Sequence, residues 1–559
     1  MTQVVTLTDA LRIAARSPLG IKVIEHDGRL SPLSYRSLLD DSLLLGGALR
    51  SRGLASGDRV ALVTPETGDF IRAFFAISAA GLVPVPLVPP AQAADLLTFT
   101  RQSHHLLAAS RAAAVVTSPD VAALLDVSGL EPSAAVLTVD ELEAGPALAE
   151  PVTVEPGATA LLQFTSGSTA APKGVVLSHA SLYANVTAIR GPAGLNICRG
   201  DVSVSWLPLY HDMGLIGMLI TSMYAVVDVV IMSPVVFLKR PTSWLEAISD
   251  HRGTISFAPN FAYDLCVRRV KPAQIDAIDL SSWRIAGCGA EPVRARTLQR
   301  FAVQFDSTGF RRSSFVPSYG LAEHALAVTL AVDGIKTDRV DAARLVRESL
   351  AVPIASGSAA GTPGVDLVAC GKPFPGHAVQ IVDDQGRALP ERHVGRILAR
   401  GPSVMNGYFE DATGTAEVLH EGWLHTGDLG YLADGELYIC GRTKDLIIRH
   451  GRKYHSPDLE SAITEVQGVR PSAVVVFGIS RVEEADEVVA VLEARASLAS
   501  RDFADRVRRR VRETAGLELD HVIVAPPGTI PRTTSGKVRR AEARARFEAG
   551  TLLSSGRAS

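Results

Sequence analysis

Thr165-Ser166-Gly167-Ser168-Thr169-Ala170-Ala171-Pro172-Lys173-Gly174 is the stretch from which this chain is best read. Its small residues let backbone N–H groups approach an oxyanion, its hydroxyls add donors, and Lys173 adds a point charge suited to the outer phosphates of a nucleotide. It is not a Walker loop. No Gly-Lys-Ser/Thr follows Gly167 at the required spacing, and Lys173 precedes a glycine that leads into an apolar strand, Val175-Val176-Leu177. A Ser/Thr-rich surface turn would look the same in isolation, so distant segments must decide between the two.

Working outward, apolar strand-like runs alternate with amphipathic stretches over the first two thirds of the chain. Residues 59–64 read as a strand, 70–75 as a helix and 83–87 as a further strand, while 254–258 and 284–288 read as buried strands ending in small residues. That alternation implies an α/β architecture with stacked, mostly parallel sheets. From Gly371 to Cys440 short strands are split by Gly and Asp turns, as in Val382-Asp383-Asp384-Gln385-Gly386, which implies a small β-rich subdomain. Past Arg442 the charge balance reverses. Residues 442–559 hold 21 Lys and Arg against 16 Asp and Glu, a net of +5, and residues 1–441 carry −8. The expected division is a large domain over 1–441, with 371–441 its β-rich part, and a small mobile α+β domain over 442–559. In the basic run 506–512, Phe503, Val507 and Val511 recur every four residues, so its arginines form the wet face of a helix or a docking surface for an acidic partner.

The 559 residues are 47% hydrophobic and 21% charged, enough for several cores. A net charge of −3 argues against nucleic acid as the main partner. Five scattered cysteines (Cys198, Cys266, Cys288, Cys370, Cys440) read as reduced, mostly buried thiols in a cytoplasmic protein. The first 16 residues lack the apolar core of a secretory signal. Residues 215–237 could pass for a membrane span, but Asp228 sits mid-run and Pro234 follows; a helix over 214–226 and a strand over 229–232 are expected instead.

Five segments in order resemble the motifs of adenylate-forming (acyl-activating, AMP-binding) enzymes: the run 165–174, Pro317-Ser318-Tyr319-Gly320-Leu321-Ala322-Glu323, Trp423-Leu424-His425-Thr426-Gly427-Asp428, Gly441-Arg442-Thr443-Lys444-Asp445 and Pro531-Arg532-Thr533-Thr534-Ser535-Gly536-Lys537. The likeness runs from about residue 31 to 546. It implies ATP bound by Thr165, Ser166, Gly167, Ser168, Thr169 and Lys173, with adenine against Tyr319 and the small backbone of Gly289, Ala290 and Glu291, flanked by Ser318 and Gly320. Asp428, helped by Arg442, would accept from the ribose diol. Glu323 would hold Mg2+. Lys537 would bridge the acyl carboxylate and the α-phosphate, and Lys444 would be the pivot of a hinge at 442–445. Each role suits its chemistry, because two anions must be brought together and positive charge must offset their repulsion.

Trp206-Leu207-Pro208-Leu209-Tyr210-His211-Asp212-Met213-Gly214-Leu215-Ile216-Gly217 resembles the fatty acyl-AMP ligases within that superfamily. The likeness puts His211 against the acyl carboxylate and makes Asp212, Met213, Gly214 and Met218 candidates for the acyl pocket. The proline-rich 83–90 and Ala170-Ala171 in the phosphate loop point the same way. Glu323 and Gly371 are 48 positions apart, which leaves room for an inserted segment over 333–366; in these ligases such an insertion restrains the mobile domain and disfavours CoA. The expected activity is ATP-dependent activation of a long- or medium-chain fatty acid, followed by transfer to the pantetheine thiol of an acyl carrier protein acting in trans. A fatty acyl-CoA synthetase and a non-catalytic acyl- or nucleotide-binding protein are the alternatives. One departure stands against the carrier: these ligases carry Asn-His-Tyr-Pro where this chain has Lys453-Tyr454-His455-Ser456.

Overall fold

Apolar runs of four residues buried on both faces set the frame, as parallel strands covered by helices require. The computed structural model describes residues 5–90, 96–165, 172–354, 364–449, 452–470, 473–479, 487–494, 500–532 and 538–552. Among the described residues the largest sheet has nine strands. Six run parallel across its middle, in the order Phe315–Gly320, Ile285–Cys288, Ile255–Ala258, Val202–Ser205, Asp228–Met232 and Gly20–Ile24. Antiparallel strands close its two edges. A second, four-stranded sheet is wholly parallel, with Arg59–Val63 between Val83–Pro86 and Ala114–Thr117, and Ala135–Thr138 at one edge.

The expected strands at 254–258 and 284–288 are therefore present within a residue. The helix expected near 70–75 runs over Thr67–Ala79. Of the strands between residues 371 and 442, Ala378–Val382, Gly395–Arg400, Leu419–His420, Trp423–Ala433 and Glu436–Arg442 form one antiparallel sheet, while Lys372–Pro373 joins the large sheet and Gly407–Tyr408 pairs with Lys173–Ser178. Four of the cysteines are buried, and Cys198 is exposed. Among the described residues no helix is long and apolar enough to cross a membrane.

The stretch 214–226 departs from a plain helix. Met213–Ile220 winds as a π-helix, and an α-helical turn, Thr221–Ala225, follows before the strand Asp228–Met232. The sequence carries the reason. Asp212 Oδ1 accepts from Met213 N at 2.7 Å, and both the backbone N–H and the Oγ1 of Thr221 reach back five residues to the Ile216 carbonyl. Such widened turns are rare and recur at functional sites.

Beyond residue 446 the chain builds a smaller unit with two cores of its own, one holding Ile447, Leu459, Phe503, Val507 and Val511, the other Phe477, Val491 and Ile530. Phe503, Val507 and Val511 face inward from the helix Arg501–Ala515, as their four-residue spacing implies. The wet face is largely paired on its own surface: Arg506 with Asp502, Arg508 with Asp505, Arg510 with Glu465 and Arg512 with Glu518. Those arginines offer an acidic partner less free charge than the sequence suggests. Between the two units lies the segment after residue 333, where Thr337–Asp341 pairs with Gly364–Val368 around a short helix, Ala342–Glu348. Val346 of that helix packs on the first core of the small unit.

Gly214 has no room for a side chain, since a Cβ there would sit 2.3 Å from the Pro208 carbonyl oxygen. Alanine in place of glycine normally favours a helix by up to about 1 kcal/mol. Gly214→Ala is expected to do the reverse, lowering stability by about 1–3 kcal/mol, seen as a fall in the thermal unfolding midpoint.

Candidate active site

Small or turn-forming residues at the carboxyl ends of the parallel strands open the main sheet on one side, where ligands of open α/β sheets bind. Val202–Ser205 leads to Trp206 and His211, Ile255–Ala258 to Asn260 and Phe261, and Ile285–Cys288 to Gly289, Ala290 and Glu291. There lies a cavity of about 1850 Å³, walled by both units of the chain. It is lined by Thr165 and Lys173, by His211, Asp212, Met213 and Gly214, and by Ala290 and Glu291. Ser318, Tyr319, Gly320, Glu323, Asp428, Arg442 and Lys444 complete the set of expected residues on its wall.

Two expected residues fall elsewhere. Met218 is buried in the aromatic core with Trp206, Phe237 and Trp244, not on the cavity wall. Gly289 sits just behind the wall, where a Cβ would be 2.3 Å from Ser318 Oγ. Ser166, Gly167, Ser168, Thr169 and Lys537 lie outside the described residues.

Three side chains form the best-defined corner. Tyr319 Oη donates to Asp428 Oδ2 at 2.6 Å, and Arg442 Nε lies 3.3 Å from Asp428 Oδ1. Asp428 and Arg442 are direct cross-strand partners, so the sheet itself fixes their pairing. Burial raises the Asp428 carboxyl pKa, and Arg442 opposes the rise. The Arg442 guanidinium is correspondingly held charged by Asp428.

Glu323 projects from the short turn Ala322–His324, and its backbone carbonyl accepts from Met405 N at 2.9 Å. Tyr408 Oη donates to its Oε1, also at 2.9 Å. Burial raises the Glu323 pKa, the Tyr408 hydrogen bond lowers it, and the charge of Asp212 raises it. A lone carboxylate suits a small hard cation, which fills its remaining positions with phosphate oxygens and water. No group of three or more His, Cys, Asp or Glu that could hold a metal occurs among the described residues.

His211 Nδ1 lies 2.6 Å from Asp212 Oδ1, so the carboxylate fixes the imidazole with Nδ1 as donor and leaves Nε2 available. Asp212 is thereby occupied with His211 and with capping Met213. Glu291 is also engaged, its Oε1 accepting from Phe261 N at 2.6 Å. Sequence reasoning passed over Tyr408, whose partners are remote in the chain, and over Asp458, whose carboxyl lines the same cavity as Arg294.

The AMP-binding enzyme family model matches residues 12–409. The chain is 39% identical to a putative acyl-CoA synthetase of Caulobacter vibrioides (strain NA1000 / CB15N), covering 98% of this chain and 96% of that one. It is 32% identical to the medium-chain-fatty-acid–[acyl-carrier-protein] ligase JamA of Moorena producens (strain JHB), over 94% and 91% of the two chains. A solved structure from work on fatty acyl-adenylate ligases of E. coli and L. pneumophila superposes with a TM-score of 0.91 at 37% identity, covering 98% of each chain.

The Asp458 carboxyl is pushed up to about 7, chiefly by burial, with Arg294 opposing the shift and Glu460 adding to it. An aspartate in the unfolded chain titrates near 3.9, roughly. The folded state therefore binds this proton more tightly and loses stability as pH rises from about 4 through 7. Asp458→Asn is expected to melt above the wild type at pH 8, with the gain disappearing at pH 4, as thermal melts across that range would record.

Proposed function

Because the chain belongs to the AMP-binding enzyme family, in its fatty acyl-AMP ligase branch, we propose that it activates a medium- or long-chain fatty acid with ATP and then passes the acyl group to the pantetheine thiol of an acyl carrier protein. The observation that carries the first half is the convergence of Lys173, His211, Glu323 and the Tyr319–Asp428–Arg442 corner on one cavity.

In that cavity a carboxylate oxygen of the acid attacks the α-phosphorus while the bond to the β-phosphate oxygen breaks, giving acyl-adenylate and pyrophosphate. Tyr319 and the backbone of Ala290, both on the cavity wall, face the adenine, and Asp428 accepts from the ribose diol. Lys173 meets the outer phosphates. His211 orients the acyl carboxylate with its free Nε2, and Met213, Gly214, Phe261 and Leu238 line the tail's path. Lys537, which follows Thr533-Thr534-Ser535-Gly536 in the sequence, bridges the carboxylate and the α-phosphate as charge builds; such donors are worth about 3–4 kcal/mol each. Glu323 would hold a magnesium ion, which when bound offsets phosphate charge.

Carrier transfer draws support from the ligase of Moorena producens, named for that acceptor, and from the inserted helix Ala342–Glu348 packed on the small domain. The proposed pivot, Lys444, lies in the turn Thr443–Asp445, just past Arg442. Acyl-CoA synthesis is the second reading, favoured by the relative from Caulobacter vibrioides.

Lys537→Ala is expected to lower fatty-acid-dependent pyrophosphate release by about 10²-fold or more while nucleotide binding by calorimetry persists; unchanged turnover would refute the role. Mass spectrometry of the acyl product, with CoA and a phosphopantetheinylated carrier offered side by side, decides the acceptor. The wild type should load the carrier and form little acyl-CoA. Val346→Asp, which breaks the inserted helix's grip on the small domain, should raise acyl-CoA formation.

A further inference from the structure

Lys173, assigned above to the outer phosphates, and Glu323, assigned to the cation, are both held by one side chain to which the adenylation chemistry gives no task. Tyr408 ends the short strand Gly407–Tyr408, which pairs antiparallel with the strand Lys173–Ser178 leaving the phosphate loop. Around it, the segment 405–409 is bonded to both neighbours through its backbone. Met405 N donates to the Glu323 carbonyl at 2.9 Å, Asn406 N to the Val176 carbonyl at 3.0 Å and Phe409 N to the Gly174 carbonyl at 2.7 Å. From this strap the Tyr408 hydroxyl reaches Glu323 Oε1 at 2.9 Å, and its ring centroid lies 4.5 Å from Lys173 Nζ. Lys173 also approaches Asp411 Oδ2, at 3.9 Å, from the far end of the same strap.

We propose that Tyr408 is a positioning residue: its hydroxyl fixes the Glu323 carboxylate so that the second oxygen faces the divalent cation accompanying the nucleotide, while its ring holds Lys173 toward the outer phosphates. The inference rests on the reading that Glu323 takes that cation. Its physical basis is the floppiness of the groups involved. A glutamate and a lysine lose side-chain freedom when they are fixed on a ligand, and a rigid neighbour that orders them beforehand removes that cost from binding. A phenol suits both tasks. It donates to a carboxylate without bringing a positive charge that would compete with the cation, and its face attracts an ammonium group.

Two substitutions separate the tasks. Tyr408→Phe keeps the ring and loses the hydroxyl; Tyr408→Leu loses both. The readout is Mn2+ binding, followed by electron paramagnetic resonance in the presence of α,β-methylene-ATP, in which the bond to be cleaved is blocked. Tyr408→Phe should weaken Mn2+ binding about tenfold, the loss expected for one hydrogen bond to a carboxylate, and leave metal-free nucleotide affinity by calorimetry unchanged. In turnover, added Mg2+ should restore its rate, so that the loss lies in the metal requirement. Tyr408→Leu should in addition weaken metal-free nucleotide binding. Mn2+ binding that is equal or tighter in Tyr408→Phe, or a turnover defect that Mg2+ leaves uncorrected, overturns the proposal. A wild type that binds the nucleotide yet no Mn2+ overturns the assignment of Glu323 itself, a result distinct from a wild type and a variant that bind it equally.

Discussion

The contact on which the rest of the site depends is that between Tyr319 and Asp428, closed by Arg442. Tyr319 belongs to the central parallel sheet, Asp428 to the antiparallel sheet beyond residue 371, and Arg442 to the last strand before the small domain. One buried carboxylate thus pins three parts of the chain at one point. A charge so placed is tolerated because a phenol and a guanidinium satisfy it; with either removed, the desolvation of the carboxylate would stand against folding. The nucleotide-facing wall therefore inherits its geometry from the meeting of two sheets rather than from a loop.

A second constraint is electrostatic. The cavity must accept a triphosphate and a carboxylate, yet its wall also carries Asp212, Glu323 and Asp428. Each of these is engaged by a donor: Asp212 by His211, Glu323 by Tyr408 and Asp428 by Tyr319. Neutral and cationic partners keep the acids oriented, and Lys173 also lines the wall, where the proposed reading has it meet the incoming phosphates. Of the Asp212 carboxylate, Oδ1 already serves both His211 and the start of the π-helix.

What the sequence made legible and what it hid divide along physical lines. Periodicity and apolar runs located the strands Ile255–Ala258 and Ile285–Cys288 and the inward face of Arg501–Ala515, because burial is written locally. Hydrophobic spacing predicts an ordinary helix where the π-helix lies, since its cause, Thr221 reaching the Ile216 carbonyl, leaves no mark on that spacing. Met218, expected on the acyl pocket, packs in a core instead, because a methionine in an apolar helix suits either place. The Tyr408–Glu323 bond joins residues 85 positions apart, and no periodicity reports such a pairing. Ion pairing on the arginine-rich helix was hidden for a related reason: Glu465 and Glu518 lie on other segments.

If the small domain moves between two poses, as the proposed reading requires, the segment after residue 333 would bias that motion through a weak contact. The helix Ala342–Glu348 is only seven residues long, and its hold on the small domain centres on one half-buried side chain, Val346. Burial of a valine is worth about 1.5 kcal/mol at most when it is partial. That is roughly a factor of ten in the balance between two domain poses, where 1.4 kcal/mol is a decade. On the proposed reading, a contact of this size would bias a hinge without locking it, and a partner that brings its own binding energy would still displace the helix. A free small thiol brings little surface with which to do so, whereas a folded carrier brings an entire interface. Under the proposed reading, then, acceptor choice resides less in the cavity than in the energy needed to leave this arrangement, and a short helix outside the nucleotide site sets that energy.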